Sequence, residues 1–420
     1  MPGNATYKPM LRPVEVYPDS SGNETRVGVR DRSGLSTVEL TLSRPALMIL
    51  ALMDGAHTCE EIQHEFHAAC GQPVSSETLG SIVRHLESAH FLEGPGFEAH
   101  FESVQAGYRE QGVRRMPHPE MLGLEARQTG FTGEPRRAGG IASDSHGLFR
   151  EVLAEAQAHT ITGTIRGIIA PHLDYARGRP CYAAAYAALG RREPPGRVVI
   201  LGTNHAGRAQ SVVATANDFE TPLGRVRTDV DFLRRVERLC GELRTYELDH
   251  MYEHSVELQV PWLQHLFGVD GFMIVPFLIP DVCGPTGTAP MDGRGVDVRD
   301  FATALADAIA DDGVDTLVVA GADLSHVGAA FGDERTLDEP YLGEVRRHDL
   351  TALDRLQTGG ADAFREYLTV ERNRTNICSA GCIFTLARIL GDAHVTRITY
   401  HQAVDQATQT CVTCAALVFS

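Results

Sequence analysis

From about Leu148 onward the chain alternates two hydrophobic patterns. Short apolar runs at 164–170, 197–202, 271–278, 316–320, 397–404 and 411–419 are rich in β-branched residues and predict strands. Between them, apolar positions at three- and four-residue spacing predict helices over 181–189, 230–240, 255–267, 301–310 and 380–390. This alternation implies an α/β sheet flanked by helices. The last two strands are separated by a few polar residues and are expected to pair antiparallel.

The first 95 residues read differently. Two β-rich stretches between Thr25 and Leu40, around the turn-like Asp31-Arg32-Ser33-Gly34, predict a hairpin. A first helix is expected from Ser43, with Pro45 in its first turn and an end near Gly55. Thr58 and Glu61 form a capping box ahead of Ile62 and Phe66. A third helix follows Ser75-Ser76 and carries Leu79, Ile82, Val83 and Leu86. Three short helices with a hairpin suggest a small winged-helix-like α+β domain over 1–95. A helical stretch then gives way to the Pro/Gly-rich run from Pro117 to Gly140, so 96–147 is expected to be a linker and 148–420 the main domain.

Composition excludes several functions. The net charge is −17, and residues 1–95 hold seven basic against twelve acidic side chains, so neither part is built to attract nucleic acid. Lys8 is the sole lysine, which removes Schiff-base and P-loop chemistry from the large domain. No run approaches a membrane span and no signal-like segment opens the sequence, so a cytoplasmic location is expected. Nine cysteines, an odd number over a long chain, fit reduced thiols. Cys411 and Cys414, three apart on one strand, face opposite sides and are expected in the core.

The candidate chemistry lies at strand ends. His172, His205 and His326 each follow an apolar strand-like run, and ligands collect at the carboxyl ends of strands in open α/β sheets. With Cys378 they would make a ligand set for a borderline or redox-active metal. Asp323, three residues before His326, is expected to orient its ring. His254 and Glu257 sit one turn apart on a predicted helix, where they form either a cap network or an acid/base pair.

Six stretches resemble the Memo family. They are Ile168-Ile169-Ala170-Pro171-His172, Ile200-Leu201-Gly202-Thr203-Asn204-His205, Phe219-Glu220-Thr221-Pro222-Leu223-Gly224, Glu253-His254-Ser255-Val256-Glu257-Leu258-Gln259-Val260-Pro261, Asp323-Leu324-Ser325-His326 and Thr375-Asn376-Ile377-Cys378. The resemblance implies the fold of class III extradiol dioxygenases. It implies His172, His205 and Cys378 as metal ligands, Fe(II) as the metal with Cu or Zn as alternatives, and His326 or His254 as acid/base groups. It also implies partnership with a radical SAM protein and an AMMECR-like protein. The expected function is a metal-dependent oxidoreductase, or alternatively a non-catalytic metal-binding or scaffold protein serving a radical SAM enzyme.

The first domain resembles the PqqD-like fold. The residues concerned are Leu42-Ser43-Arg44-Pro45-Ala46, Leu50 through Gly55, Thr58-Cys59-Glu60-Glu61-Ile62 and Leu79 through Gly94. That resemblance implies a peptide held by strand addition; a structural cap or partner-docking module is the alternative.

Overall fold

The computed structural model describes residues 6–18, 26–31, 33–36, 38–116, 138–190 and 192–420. Arg32 of the expected hairpin turn and the Pro/Gly-rich stretch 117–137 lie outside the described residues. The chain divides into two compact units, 1–110 and 111–420.

In the first unit, β1 (Val14–Pro18), β2 (Arg26–Asp31) and β3 (Leu40–Ser43) form an antiparallel sheet with β2 in the middle. The helices follow. α1 (Arg44–Ala51) starts directly after β3, with a proline in its first turn. α2 (Cys59–Cys70) opens on the Thr58/Glu61 capping box and ends at Gly71, whose φ of 68° suits a residue without Cβ. α3 (Ser76–Ser88) is capped by Ser75, which accepts from the Thr78 amide at 3.1 Å. Val29, Ile62, Leu79, Val83 and Phe91 form the buried centre. The hairpin is the β2–β3 pair, and it lies ahead of all the helices.

The expected boundary at residue 95 is corrected by α4 (Pro95–Gln111), which buries Phe97, Phe101 and Tyr108. Those residues fall at helical spacing, diluted by polar neighbours. Phe97 lies under the guanidinium of Arg12, 3.8 Å from the ring centre, while Arg12 pairs with buried Asp31 at 3.1 Å. The helix therefore completes the first unit rather than joining two.

The second unit begins with β4 (Val113–Arg115) and α5 (Ala138–Ala154). It continues through β5 (Gly167–Ala170), α6 (Arg179–Leu189), β6 (Arg197–Thr203), β7 (Val213–Ala214), β8 (Asp218–Thr221), β9 (Gly224–Val226) and α7 (Val230–Cys240). Then come α8 (Val260–Phe267), β10 (Met273–Ile279), α9 (Val298–Asp312), β11 (Thr316–Gly321) and β12 (Asp323–Gly328). α10 (Glu339–Val370), α11 (Ala380–Ile389), β13 (Val395–Asp405) and β14 (Thr410–Phe419) close the chain.

The main sheet runs β12-β14-β5-β11-β6-β10-β7, with β13 also paired to β14. Its centre, β5, β11, β6 and β10, is parallel; β14, β12, β13 and β7 pair antiparallel to their neighbours. Successive residues of β6 serve opposite faces: Val198 and Ile200 pack with Trp262 and Tyr182, Val199 and Leu201 with Phe277 and Phe301. This is why its run is apolar throughout rather than alternating. β4, β8 and β9 form a separate small sheet.

Among the elements that escaped the pattern, two adjoin the candidate site. α10 is interrupted at Gly360, whose φ of 71° leaves the helical region, and its Gly359-Gly360 hid a helix on either side. β12 carries Asp323, Ser325 and His326 and is polar for a strand with a buried backbone.

Candidate metal centre

β5 and β6 flank β11 and run parallel to it, so their carboxyl ends open on one edge of the sheet. His172 stands just beyond β5 and His205 just beyond β6; Cys378 lies just ahead of α11. The fold brings them together. Cys378 Sγ is 3.5 Å from His172 Nε2, and one donor atom from each of the three lies within 4.8 Å of the others. The two imidazoles meet edge to face with centroids 4.8 Å apart.

Hydrogen bonds fix which ring nitrogens are free. Nδ1 of His172 is 2.9 Å from the Gly321 carbonyl, an acceptor only, so Nδ1 carries a proton and Nε2 is the nitrogen turned toward Cys378, free to ligate once its own proton is displaced. Nδ1 of His205 lies 3.0 Å from Glu253 Oε1. A ligating histidine typically has this arrangement, its far nitrogen donating to a carbonyl or carboxylate. His172 is buried, whereas the side chains of His205 and His254 remain 23% and 27% exposed, which leaves one side of the cluster open to an incoming molecule.

The charges are interdependent. Burial raises the pKa of a thiol, but His326 and His172 beside Cys378 hold it well below the ordinary thiol range. Burial works against a proton on His172, yet Asp323 and Cys378 draw its pKa up to about 9. Burial likewise opposes charge on His205, and Glu253 and Cys378 override it, raising that ring well above the usual value. Glu253, despite burial, is pushed well below the carboxylate range by His205. The thiolate is already in the form a metal ligand needs, and the protons held on His172 and His205 are those an incoming metal ion would displace. In donor type, the set fits a soft or borderline metal.

His205 is held by its loop. Asp249 accepts from the amides of Arg208 and Ala209, both at 3.0 Å, and from Asn204 Nδ2 at 2.9 Å. A Cβ at Gly207 would strike Asn204 and Asp249, so only glycine fits there. The segment 253–259 crosses the strand ends closely. A Cβ at Gly202 would meet Ser255 Oγ at 2.5 Å, and one at Gly321 would strike the Ser255 carbonyl.

A family model described as "Memo-like protein" matches residues 134–418. The chain belongs to the Memo family. It is 28% identical to a MEMO1 family protein of Thermus thermophilus over 334 residues, 77% of this chain and 87% of that one. It is also 31% identical to a MEMO1 family protein of Methanopyrus kandleri over 220 residues, 52% of this chain and 68% of that one. Membership supports a dioxygenase-like fold for the large unit. The mixed sheet with helices on both faces fits it.

Within this Memo-family site, two expected roles change. Asp323 does not hold His326: its Oδ1 accepts from the His172 amide at 3.1 Å and its Oδ2 lies 3.5 Å from His172 Nε2. His326 is instead oriented by the Leu324 carbonyl, 3.0 Å from Nδ1. The bulge in the β12–β14 register between Asp323 and His326 turns the two side chains apart. Burial pushes the Asp323 carboxyl upward against the pull of His172. Glu257 does not act with His254: the helical turn begins only at Glu257, beyond His254, and Glu257 is fully buried whereas the His254 side chain stays partly exposed. The Glu257 carboxylate rests on Arg114, Oε2 to Nη1 at 2.6 Å, and that guanidinium also reaches the carbonyls of His250 and Glu253. Glu257 braces the 250–257 segment and is removed from the catalytic candidates.

His254 and His326 stay at the site. His254 stacks on His205 with centroids 5.0 Å apart, and His326 meets the half-exposed Phe331 edge to face at 5.1 Å. Burial lowers and Cys378 raises the His326 pKa, with a net rise. Sequence reasoning missed Glu253. His205, Glu253 and His254 also form a cluster with donor atoms within 4.8 Å. However, Glu253 already accepts from the His205 amide and ring and from the Ser255 amide at 2.9–3.1 Å. It is therefore better placed as the holder of His205 than as a ligand. Its place beside His254 in the 253–261 stretch was the available signal. Cys382, one turn beyond Cys378, is buried near Thr203 and its thiol is pushed upward by burial, so it packs. Cys411 and Cys414 lie in different clusters, and all nine cysteines are free thiols.

Proposed function

We propose that the chain is a metal-dependent oxidoreductase of dioxygenase-like type, using Fe(II) held by His172, His205 and Cys378. The observation that carries this is the convergence of the three donors with both histidines tautomerically fixed by carbonyl or carboxylate partners. Iron bound there would supply redox chemistry and Lewis acidity. The protein groups have separable tasks. The Gly321 carbonyl and Glu253 orient the ligand rings and Asp323 holds the His172 amide, while His326 and His254, both partly accessible, hold or move a proton at Nε2 or Nδ1 beside the substrate.

The substrate on this reading is a peptide, and the partners are a radical SAM protein and an AMMECR-like protein. The first unit supports a peptide: β1 and β3 each pair on one side only among the described strands, so either can accept an added strand. Its acidic balance disfavours nucleic acid. A single chain carrying both a peptide holder and a metal centre raises the local concentration of what it holds.

The second reading, a metal carrier or scaffold for a radical SAM enzyme, is favoured by the softness of a two-imidazole, one-thiolate set, which suits Cu(I) or Zn equally. Anaerobic purification with metal quantification, followed by oxygen-uptake assays on peptides encoded by neighbouring genes, separates the two. Iron occupancy with substrate-dependent oxygen uptake supports the enzyme; full occupancy without turnover on any such peptide favours the carrier. No helix among the described residues is long and apolar enough to cross a membrane.

A further inference from the structure

Behind the Cys378 wall lies a buried carboxylate that the site chemistry does not use. Asp349, on α10, is fully buried. Ser325 Oγ donates to its Oδ1 at 2.5 Å, and the hydroxyls of Thr413 and Tyr400 donate to its Oδ2 at 2.6 and 2.8 Å. No arginine pairs with it among the described residues; its nearest basic neighbour is His348, whose Nδ1 is 4.0 Å from Oδ1. A buried carboxylate without a cation is costly, and hydroxyl donors are what offset that cost here.

The network extends to the ligand loop. Ser325 Oγ also lies 2.7 Å from Thr375 Oγ1, which is 3.0 Å from His348 Nδ1. With the single Ser325 hydroxyl hydrogen donated to Asp349, Thr375 donates to Ser325 and accepts a hydrogen bond from His348 Nδ1–H. The donors then run one way, from His348 through Thr375 and Ser325 to Asp349. The two middle members of this chain adjoin the site. Ser325 precedes His326 on β12, and Thr375 begins the turn that ends in Cys378. The His326 amide donates to the Thr375 carbonyl at 2.8 Å, and the Cys378 amide approaches the Leu324 carbonyl at 3.4 Å. Asn376, at φ 52°, bends the loop between them.

We propose that Asp349 is a positioning residue for the thiolate: the hydroxyl chain it anchors clamps the 373–378 loop against β12 and so sets where Cys378 Sγ stands relative to His326 and His172. This rests on the reading of His172, His205 and Cys378 as a metal centre. The clamp acts through Ser325 and Thr375, and Asp349 itself touches neither metal donor nor substrate.

The test uses the full chain, stripped of metal and titrated anaerobically with Co(II), reading affinity, the thiolate-to-cobalt charge-transfer band and thermal unfolding. Asp349→Asn and Thr375→Val should each weaken Co(II) binding by roughly 10–100-fold and alter the band, as loss of a ligand's supporting partner does. Thr375→Val breaks the chain without removing any of the three hydroxyl donors to the Asp349 carboxylate, so it decides the matter if Asp349→Asn fails to fold. Asp229→Asn, which loosens a buried pair with Arg197 (2.9 Å) at the other end of β6, should lower the melting temperature and leave affinity and band at wild type. An unmoved band and affinity in both network variants, with a normal band in the wild type, sinks the positioning role alone. Equal changes in Asp229→Asn also overturn it, since they reduce the effect to general destabilisation. Absence of any charge-transfer band in the wild type removes the metal reading and the proposal with it.

Discussion

Two buried charge clusters sit within a few residues of each other in the second unit, and they are built from different cations. In one, Arg114 holds Glu257 and the carbonyls of His250 and Glu253. In the other, His205 and His172 face Glu253, Asp323 and Cys378. A guanidinium cannot give up its proton at any working pH, so the first cluster is permanent scaffolding. An imidazole can give up its charge or exchange it for a metal, so the second can do chemistry. In a chain with one lysine, cationic work is split between the two residue types, and the choice at each position tells structure from function.

If that division is right, Arg114→Leu should show the larger loss of stability. It leaves Glu257 buried without its partner, at a cost of roughly 3–5 kcal/mol. Denaturant unfolding measures it, and a loss below about 1 kcal/mol would mean the cluster is not the brace described. Adding Glu257→Leu should recover part of the loss.

Cys378→Ser is the counterpart in the second cluster. Metal content of the purified protein should fall by more than the roughly 100-fold that marks the upper range for a supporting residue, with the melting temperature of the stripped protein little changed. Unchanged metal would make Cys378 a packed thiol. Glu253→Gln should act more gently, weakening binding about 10–100-fold through a less basic and less constrained His205. A titration with Co(II) distinguishes the three levels.

The smallest effect is a pH dependence peculiar to the histidine cluster. The folded His172 pKa of about 9 lies above its ordinary value. Its stabilising contribution is thus full below the unfolded pKa of roughly 6.5 and is lost as pH rises through about 9. The melting temperature of chelator-treated protein should therefore drop across that interval, and the drop should shrink in His172→Gln. A slope that persists in the variant assigns the titration to other groups. The Arg114 cluster should contribute no such slope.

Much of the centre was legible in the sequence because its strands are. Runs such as 197–202 are apolar on both faces and end in polar residues, so the positions of His172 and His205 at strand ends could be read directly. Cys378 came from the Memo-like motif around it, since its strand neighbours are remote in sequence. What could not be read were the partners. Asp323 lies nearer to His326 in sequence but serves His172, because a bulge intervenes. Glu257 is one turn from His254 but faces Arg114, more than a hundred residues away. Asp349 sits in a helix concealed by Gly360. Sequence spacing locates side chains along an element; the long-range pairing that gives them their roles appears only once the elements pack.

The glycines under the 253–259 segment carry a last consequence. At Gly202 and Gly321 the space a methyl group would fill is already taken by Ser255 and its neighbours. The gap between the segment bearing Glu253 and the strands delivering the histidines is thus gauged by two missing carbon atoms, as a shim sets the clearance of a bearing. Gly321→Ala keeps every donor in the chain, yet it would spread the jaws of the site, changing its bore without altering its chemistry.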